Sequence, residues 1–159
     1  MHILLLTAYF PPDTGSAAHL FYELGAALVE RGHQVTVLTG MPGYHAQGSL
    51  ERYEGQKRVA ETVNGMDVVR AATPERRTSM VGRALWHFGG AFVFFREGLR
   101  LPDHDVAMLY SPPLPLGLTA WGWHKLRGLP FVLNVQDLFP QSIIDLGLLK
   151  NPVVIWAFR

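Results

Sequence analysis

A chain of 159 residues that is 48% hydrophobic and 17% charged can bury the core of one domain and is too apolar to remain disordered. Its formal net charge of +1 argues against a dedicated nucleic-acid binder, and the lack of cysteine removes a disulfide framework, a catalytic thiol and thiolate metal sites, leaving a reducing cytoplasm as the simplest setting. The first apolar run, residues 3–6, is too short for a signal-peptide core or a membrane span.

The opening His2-Ile3-Leu4-Leu5-Leu6-Thr7 is continuously apolar, which predicts a strand covered on both faces inside a parallel sheet. Turn chemistry follows at 9–15. From Ser16 the period changes: Ala17, Leu20, Phe21, Leu24, Ala27 and Leu28 recur at three- and four-residue steps, an amphipathic helix that stops at Arg31-Gly32. Residues 34–39 are a second strand, so 2–39 form a βαβ unit with a right-handed crossover. Residues 40–55 read as loop. Asn64-Gly65 between 57–63 and 66–71 is a hairpin signal, since both residues tolerate positive φ. Residues 81–101 are helical and apolar on most sides, 106–110 a third core strand, 116–126 a helix closing at Arg127-Gly128, and 131–135 a fourth core strand before 141–149. The expected fold is therefore α/β: a Rossmann-like open parallel sheet with helices on both faces and an inserted β-hairpin. Asn151-Pro152 opens one more apolar helix that gets barely two turns, so the chain is expected to be truncated from a longer polypeptide.

Ligands of an open parallel sheet sit beyond the carboxyl ends of its strands, where the strand order reverses. Three segments leave such ends: 7–16, 110–115 and 136–140. In the first, Gly15 and Ser16 stand where strand becomes helix; a glycine there either lets a phosphate approach the backbone or simply makes the turn. No G-x-G-x-x-G and no Walker lysine are present, which lowers nicotinamide and ATP chemistry. His19 lies one turn inside the helix, within reach of the rim. Asp137 follows an apolar strand, where a carboxylate is costly without a partner; it acts as a base, accepts hydrogen bonds from sugar hydroxyls, or caps the helix near Pro140. Tyr110 and Ser111 line the same cleft or initiate a turn, and Asp13 is expected to be an exposed turn stabiliser. The seven histidines form no paired metal-ligand spacing, so no metal is expected. Between Arg76 and Arg100, five arginines (Arg76, Arg77, Arg83, Arg96 and Arg100) oppose Glu97 and enclose Trp86 and four phenylalanines. That composition fits either an interfacial helix on anionic lipid, with Arg76, Arg77, Arg83 and Trp86 facing the membrane, or a helix buried on the sheet.

Together, Pro11-Pro12-Asp13-Thr14-Gly15 before His19, Leu24-Gly-Ala-Ala-Leu28 and Arg31-Gly-His-Gln-Val-Thr-Val-Leu-Thr-Gly40 resemble the opening of family 4 glycosyltransferases with the GT-B fold. Ser111-Pro-Pro-Leu-Pro-Leu-Gly117 and Phe131-Val-Leu-Asn-Val-Gln-Asp-Leu-Phe-Pro140 are similar to the bacterial branch that makes capsule, O-antigen and exopolysaccharide, including fucosamine- and colanic-acid-type transferases. The resemblance covers essentially the whole chain. It implies residues 1–159 as the N-terminal, acceptor-side half of a GT-B enzyme, with the nucleotide-sugar domain outside this chain. It implies a retaining, hexosyltransferase-type transfer from a nucleotide sugar to a lipid-linked or polysaccharide acceptor, without metal or other cofactor, at the inner membrane face. Gly15 matches the glycine that approaches the donor diphosphate, Ser16 stands where the family often has a second glycine, and Asp137 and the Tyr110-Ser111 turn match rim positions facing the reacting sugars. A nucleotide-sugar epimerase of the same fold and a non-catalytic membrane- or partner-docking module are the other classes the residues allow.

Overall fold

The computed structural model describes residues 1–43, 46–74, 80–111 and 113–136, without the side chains at 80, 81, 83 and 84. The chain runs β1 (His2–Leu6), α1 (Ser16–Glu30), β2 (Gln34–Gly40), a 3-10 turn (Glu51–Tyr53), β3 (Arg58–Val63), β4 (Met66–Ala71), α2 (Met80–Gly98), β5 (Val106–Ser111), α3 (Leu116–Arg127) and β6 (Phe131–Val135). The expected helices at 141–149 and from 152 lie outside the described residues.

The strands form one sheet in the order β3-β4-β2-β1-β5-β6, parallel throughout except for β3, which is antiparallel to β4. The chain builds outward from β1 to β2 and β4, then crosses back to lay β5 and β6 on its other side. The reversal falls between β1 and β5, and a crevice opens beyond their carboxyl ends. The opening run is continuously apolar because β1 is central: Leu4 and Leu6 pack under α2 and α3, while Ile3 and Leu5 pack under α1.

Local rules set the element ends. After α1, the Gly32 amide reaches the Val29 carbonyl at 2.9 Å and the His33 amide the Leu28 carbonyl at 3.1 Å, a Schellman stop in which Gly32 takes φ 81°. Asn64 and Gly65 take φ 48° and 77° in the hairpin turn between Val63 and Met66, as the dipeptide predicts. Helix α2 ends at Gly98, three residues before the expected stop, and the Trp123 indole of α3 lies against that residue and leaves no room for a Cβ. Trp123 Nε1 donates to the Phe95 carbonyl at 3.0 Å, and Arg127 donates to the carbonyls of Gly98, Leu99 and Leu101, so α3 caps α2. One expectation changes: β6 is the edge strand among the described residues, with Val132 54% and Val135 43% exposed, rather than a fully buried strand. An apolar run alone does not say whether a neighbour covers it.

Candidate functional site

At the carboxyl edge, β1 passes into a loop that is fastened residue by residue. The Thr7 hydroxyl donates to the Tyr9 carbonyl at 3.0 Å, and the Asp13 amide to the Phe10 carbonyl at 3.1 Å. Asp13 is 2% exposed, not the exposed residue expected; its Oδ1 accepts the Gly43 amide at 2.8 Å and so ties this loop to the one after β2. The Gln47 amide donates to the Pro12 carbonyl at 3.1 Å, and Arg70, at the end of β4, donates to the Pro11 carbonyl.

The loop delivers Gly15 as the N-cap of α1 at φ 146° and ψ 160°, a conformation that suits glycine, with open space where a Cβ would stand. Among the described residues no side chain caps α1, and its first turn holds no acidic residue, so the amides at its positive end face the rim. Ser16 and His19 are exposed on that first turn.

On the same carboxyl edge opens a cleft of about 450 Å³. Ala8 and Tyr9 after β1, Gly40 and Met41 at the end of β2, Ala72 to Pro74 after β4 and Pro113 after β5 form its floor and rim, and α2 contributes Trp86, His87 and Phe94. The Trp86 ring lies 6.5 Å from Tyr9 and 4.6 Å from His87, centroid to centroid. The walls are mostly apolar and aromatic with a few polar groups, a composition that accepts the C–H face of a sugar or a short apolar chain.

The rim residues expected from sequence divide. Gly15, Ser16 and His19 share the open end of α1. Tyr110 does not line the cleft: it is 8% exposed and packs edge-on against Phe21, 5.4 Å away, because side chains alternate along β5 and this one falls on the α1 face. Ser111 points to the opposite face, 1% exposed, its hydroxyl without a hydrogen-bond partner among the described residues. Its carbonyl accepts the Gln136 amide at 3.1 Å, which brings the end of β6 to the same rim. Asp137, Arg76 and Arg77 lie outside the described residues, as does the Arg83 side chain. Trp86 is half-buried in the cleft wall rather than facing outward; the outer face of α2 is instead Leu85, Phe88 and Phe92, 62%, 59% and 65% exposed. Two of the five arginines are engaged, since Glu97, 4% exposed, takes Arg100 at 2.6 Å and Arg96 at 3.4 Å, and it also takes Arg58 of β3 at 3.4 Å.

Electrostatics mark other places. Burial first, and then the charge of His2, push the His104 imidazole down from 6.5 to about 4, but this ring stacks on His2 at the amino edge of the sheet, opposite the cleft. A hydrogen bond to Tyr53, with help from Glu61, holds the Arg52 guanidinium above its ordinary value. Among the described residues no group of His, Asp or Glu could hold a metal, and no helix is long and apolar enough to cross a membrane. Sequence reading missed Tyr9, His87 and Arg70. The first two carry no motif, and a charged residue inside a strand reads as solvent-facing.

A glycosyl transferase 4-like domain model matches residues 14–159. A solved structure, the C-terminal domain of a hydrogenase from Pyrococcus furiosus, is similar in fold at a TM-score of 0.54 and 19% identity, over 84% of this chain and 89% of that one. No curated protein matches the chain.

Proposed function

The chain belongs to the glycosyl transferase 4-like domain family, and from that premise we propose that it is the N-terminal, acceptor-side half of a retaining GT-B glycosyltransferase. In this reading a nucleotide-sugar domain outside the chain closes over the carboxyl edge. A hexose passes from the nucleotide diphosphate to a lipid-linked or polysaccharide acceptor of cell-surface polysaccharide synthesis, without metal or other cofactor.

One observation carries the reading: the first turn of α1, without a side-chain cap among the described residues, and the aromatic cleft both open at the carboxyl edge of the sheet. The acceptor oxygen bonds to the anomeric carbon as the bond from that carbon to the diphosphate breaks. Charge then grows on the diphosphate, where the amides after Gly15 and Ser16 are pre-aimed donors. The cleft holds the acceptor sugar against Trp86 and Tyr9 so that its hydroxyl faces the donor, converting encounter into orientation. His19 and Ser111 are candidate hydroxyl partners, and Asp137 takes the acceptor hydroxyl's proton as the new bond forms. We expect Asp137→Ala to lower transfer about 10²- to 10⁴-fold, with an unchanged circular dichroism spectrum. Turnover equal to wild type removes Asp137 from the site. The 159-residue chain by itself should be inactive, because half of the cleft belongs to the second domain.

The exposed stripe Leu85, Phe88 and Phe92 favours a place at the inner membrane face. It gives α2 an apolar outer side, with Arg76, Arg77 and Arg83 supplying attraction to anionic lipid. Phe88→Ser with Phe92→Ser, and separately neutralisation of the three arginines, should each lower co-sedimentation with anionic liposomes. Binding unchanged in both removes the membrane from this reading.

A further inference from the structure

We infer that Arg70 is a positioning residue: it fixes the loop that presents Gly15 and the first turn of α1 to the ligand. The inference deepens the reading given above and rests on it for the identity of the ligand, though not for the anchoring itself.

Arg70 is completely buried, which a guanidinium tolerates only with partners that replace water. Its Nε donates to Glu61 Oε1 at 2.6 Å, its Nη2 donates to the Pro11 carbonyl, and its Cζ lies 5.3 Å from the centre of the Tyr53 ring. Nη1 is buried with no partner among the described residues. An apolar side chain would fill this position between strands at less cost, as Met66 and Val68 do further down β4. What an apolar residue cannot do is hold a carbonyl four residues before Gly15.

Glu61 is itself held. It accepts from Arg52, and the Tyr53 hydroxyl sits 3.3 Å from both of its oxygens. A chain of contacts therefore runs from the 3-10 turn through β3 and β4 to the loop, and gives the inserted hairpin a purpose: it braces the guanidinium. Pro11, Pro12 and Asp13 are then each tied to a different neighbour, namely Arg70, Gln47 and Gly43. Three successive anchors leave Gly15 little freedom, so α1 meets a diphosphate without a prior ordering cost.

Amide hydrogen exchange on this chain tests the anchor directly, in wild type, Arg70→Lys, Arg70→Met and Glu61→Gln, each compared at matched global stability. Arg70→Met should speed exchange at least tenfold at Asp13, Gly43 and Gln47 and leave Ala107 and Leu109 of β5 unchanged. Arg70→Lys should recover part of that protection, since an ammonium still reaches one acceptor. Glu61→Gln, which leaves the bond to Pro11 in place, should have the smallest effect. If Arg70→Met does not fold, the order of the Lys and Gln variants carries the test. Loop exchange equal to wild type, or acceleration equal in the loop and in β5, overturns the inference. In a polypeptide with both halves, Arg70→Lys should raise KM for the nucleotide sugar several-fold more than it lowers kcat. A wild-type polypeptide without transfer activity counts against the glycosyltransferase reading, whereas unchanged loop exchange counts against the anchor.

Discussion

The two edges of the sheet use similar residue types for opposite ends. At the amino edge, His2 Nε2 meets the Thr36 hydroxyl at 3.0 Å, Asp105 takes the His2 amide at 2.7 Å, and Trp123 fills the space over Gly98. At the carboxyl edge Tyr9, Trp86 and His87 stand around open volume, and among the described residues the amides that begin α1 have no side-chain cap. Among the described residues, the imidazole that burial holds well below its ordinary value belongs to the closed edge, at His104. A shifted pKa reports burial, and burial is as much a property of structural clusters as of sites. Space together with unspent donors distinguishes the candidate site here.

Substitutions at the two edges should therefore separate stability from activity. The largest effect is expected at the closed edge: Trp123→Ala should cost about 3–5 kcal/mol and lower Tm by on the order of 10 °C or more, read by thermal denaturation. Trp86→Ala at the open edge should barely move Tm while raising KM for the acceptor about tenfold, the worth of roughly one aromatic stacking contact. A large loss of Tm in that variant would erase the distinction. The smallest effect is a pH dependence. The folded pKa of His104 is below its unfolded value, so the stability held by the neutral ring is complete above about pH 6.5 and is lost as pH falls toward 4. The ring is only half-buried, so solvent screening trims the loss to about 1 kcal/mol, and His104→Leu should flatten the Tm profile between those limits. A profile equally steep in the variant would assign the acid sensitivity to other groups.

Local patterns in the sequence carry most of the fold. The βαβ opening, the Asn64-Gly65 turn and the glycine stops after α1 and α3 follow from neighbours a few residues apart. What escapes is set by partners distant in sequence. Arg70 reads as an exposed strand residue until Glu61 is seen across the hairpin and Pro11 above it, 59 positions earlier in the chain. Trp86 could not be oriented in advance because α2 is apolar on nearly every side, and only its contacts with Tyr9 and the sheet choose the inward face. The same holds for β6, whose apolar run does not say that it is an edge. Of the candidate site, the place of Gly15 and Ser16 at the start of α1 is legible from the change of period, while the aromatic cleft gathers residues from five separate segments.

The capping of α2 by α3 has a mechanical side. Arg127 grips the carbonyl of Gly98 and those of the turn just after it, Trp123 presses on Gly98, and Glu97 gathers Arg58 and Arg100, all at one extremity of the helix. Trp86 and His87 ride some three turns away, toward the other extremity. The helix therefore joins a tightly held end to the cleft wall, and the axis fixed at Gly98 sets the direction in which Trp86 and His87 project.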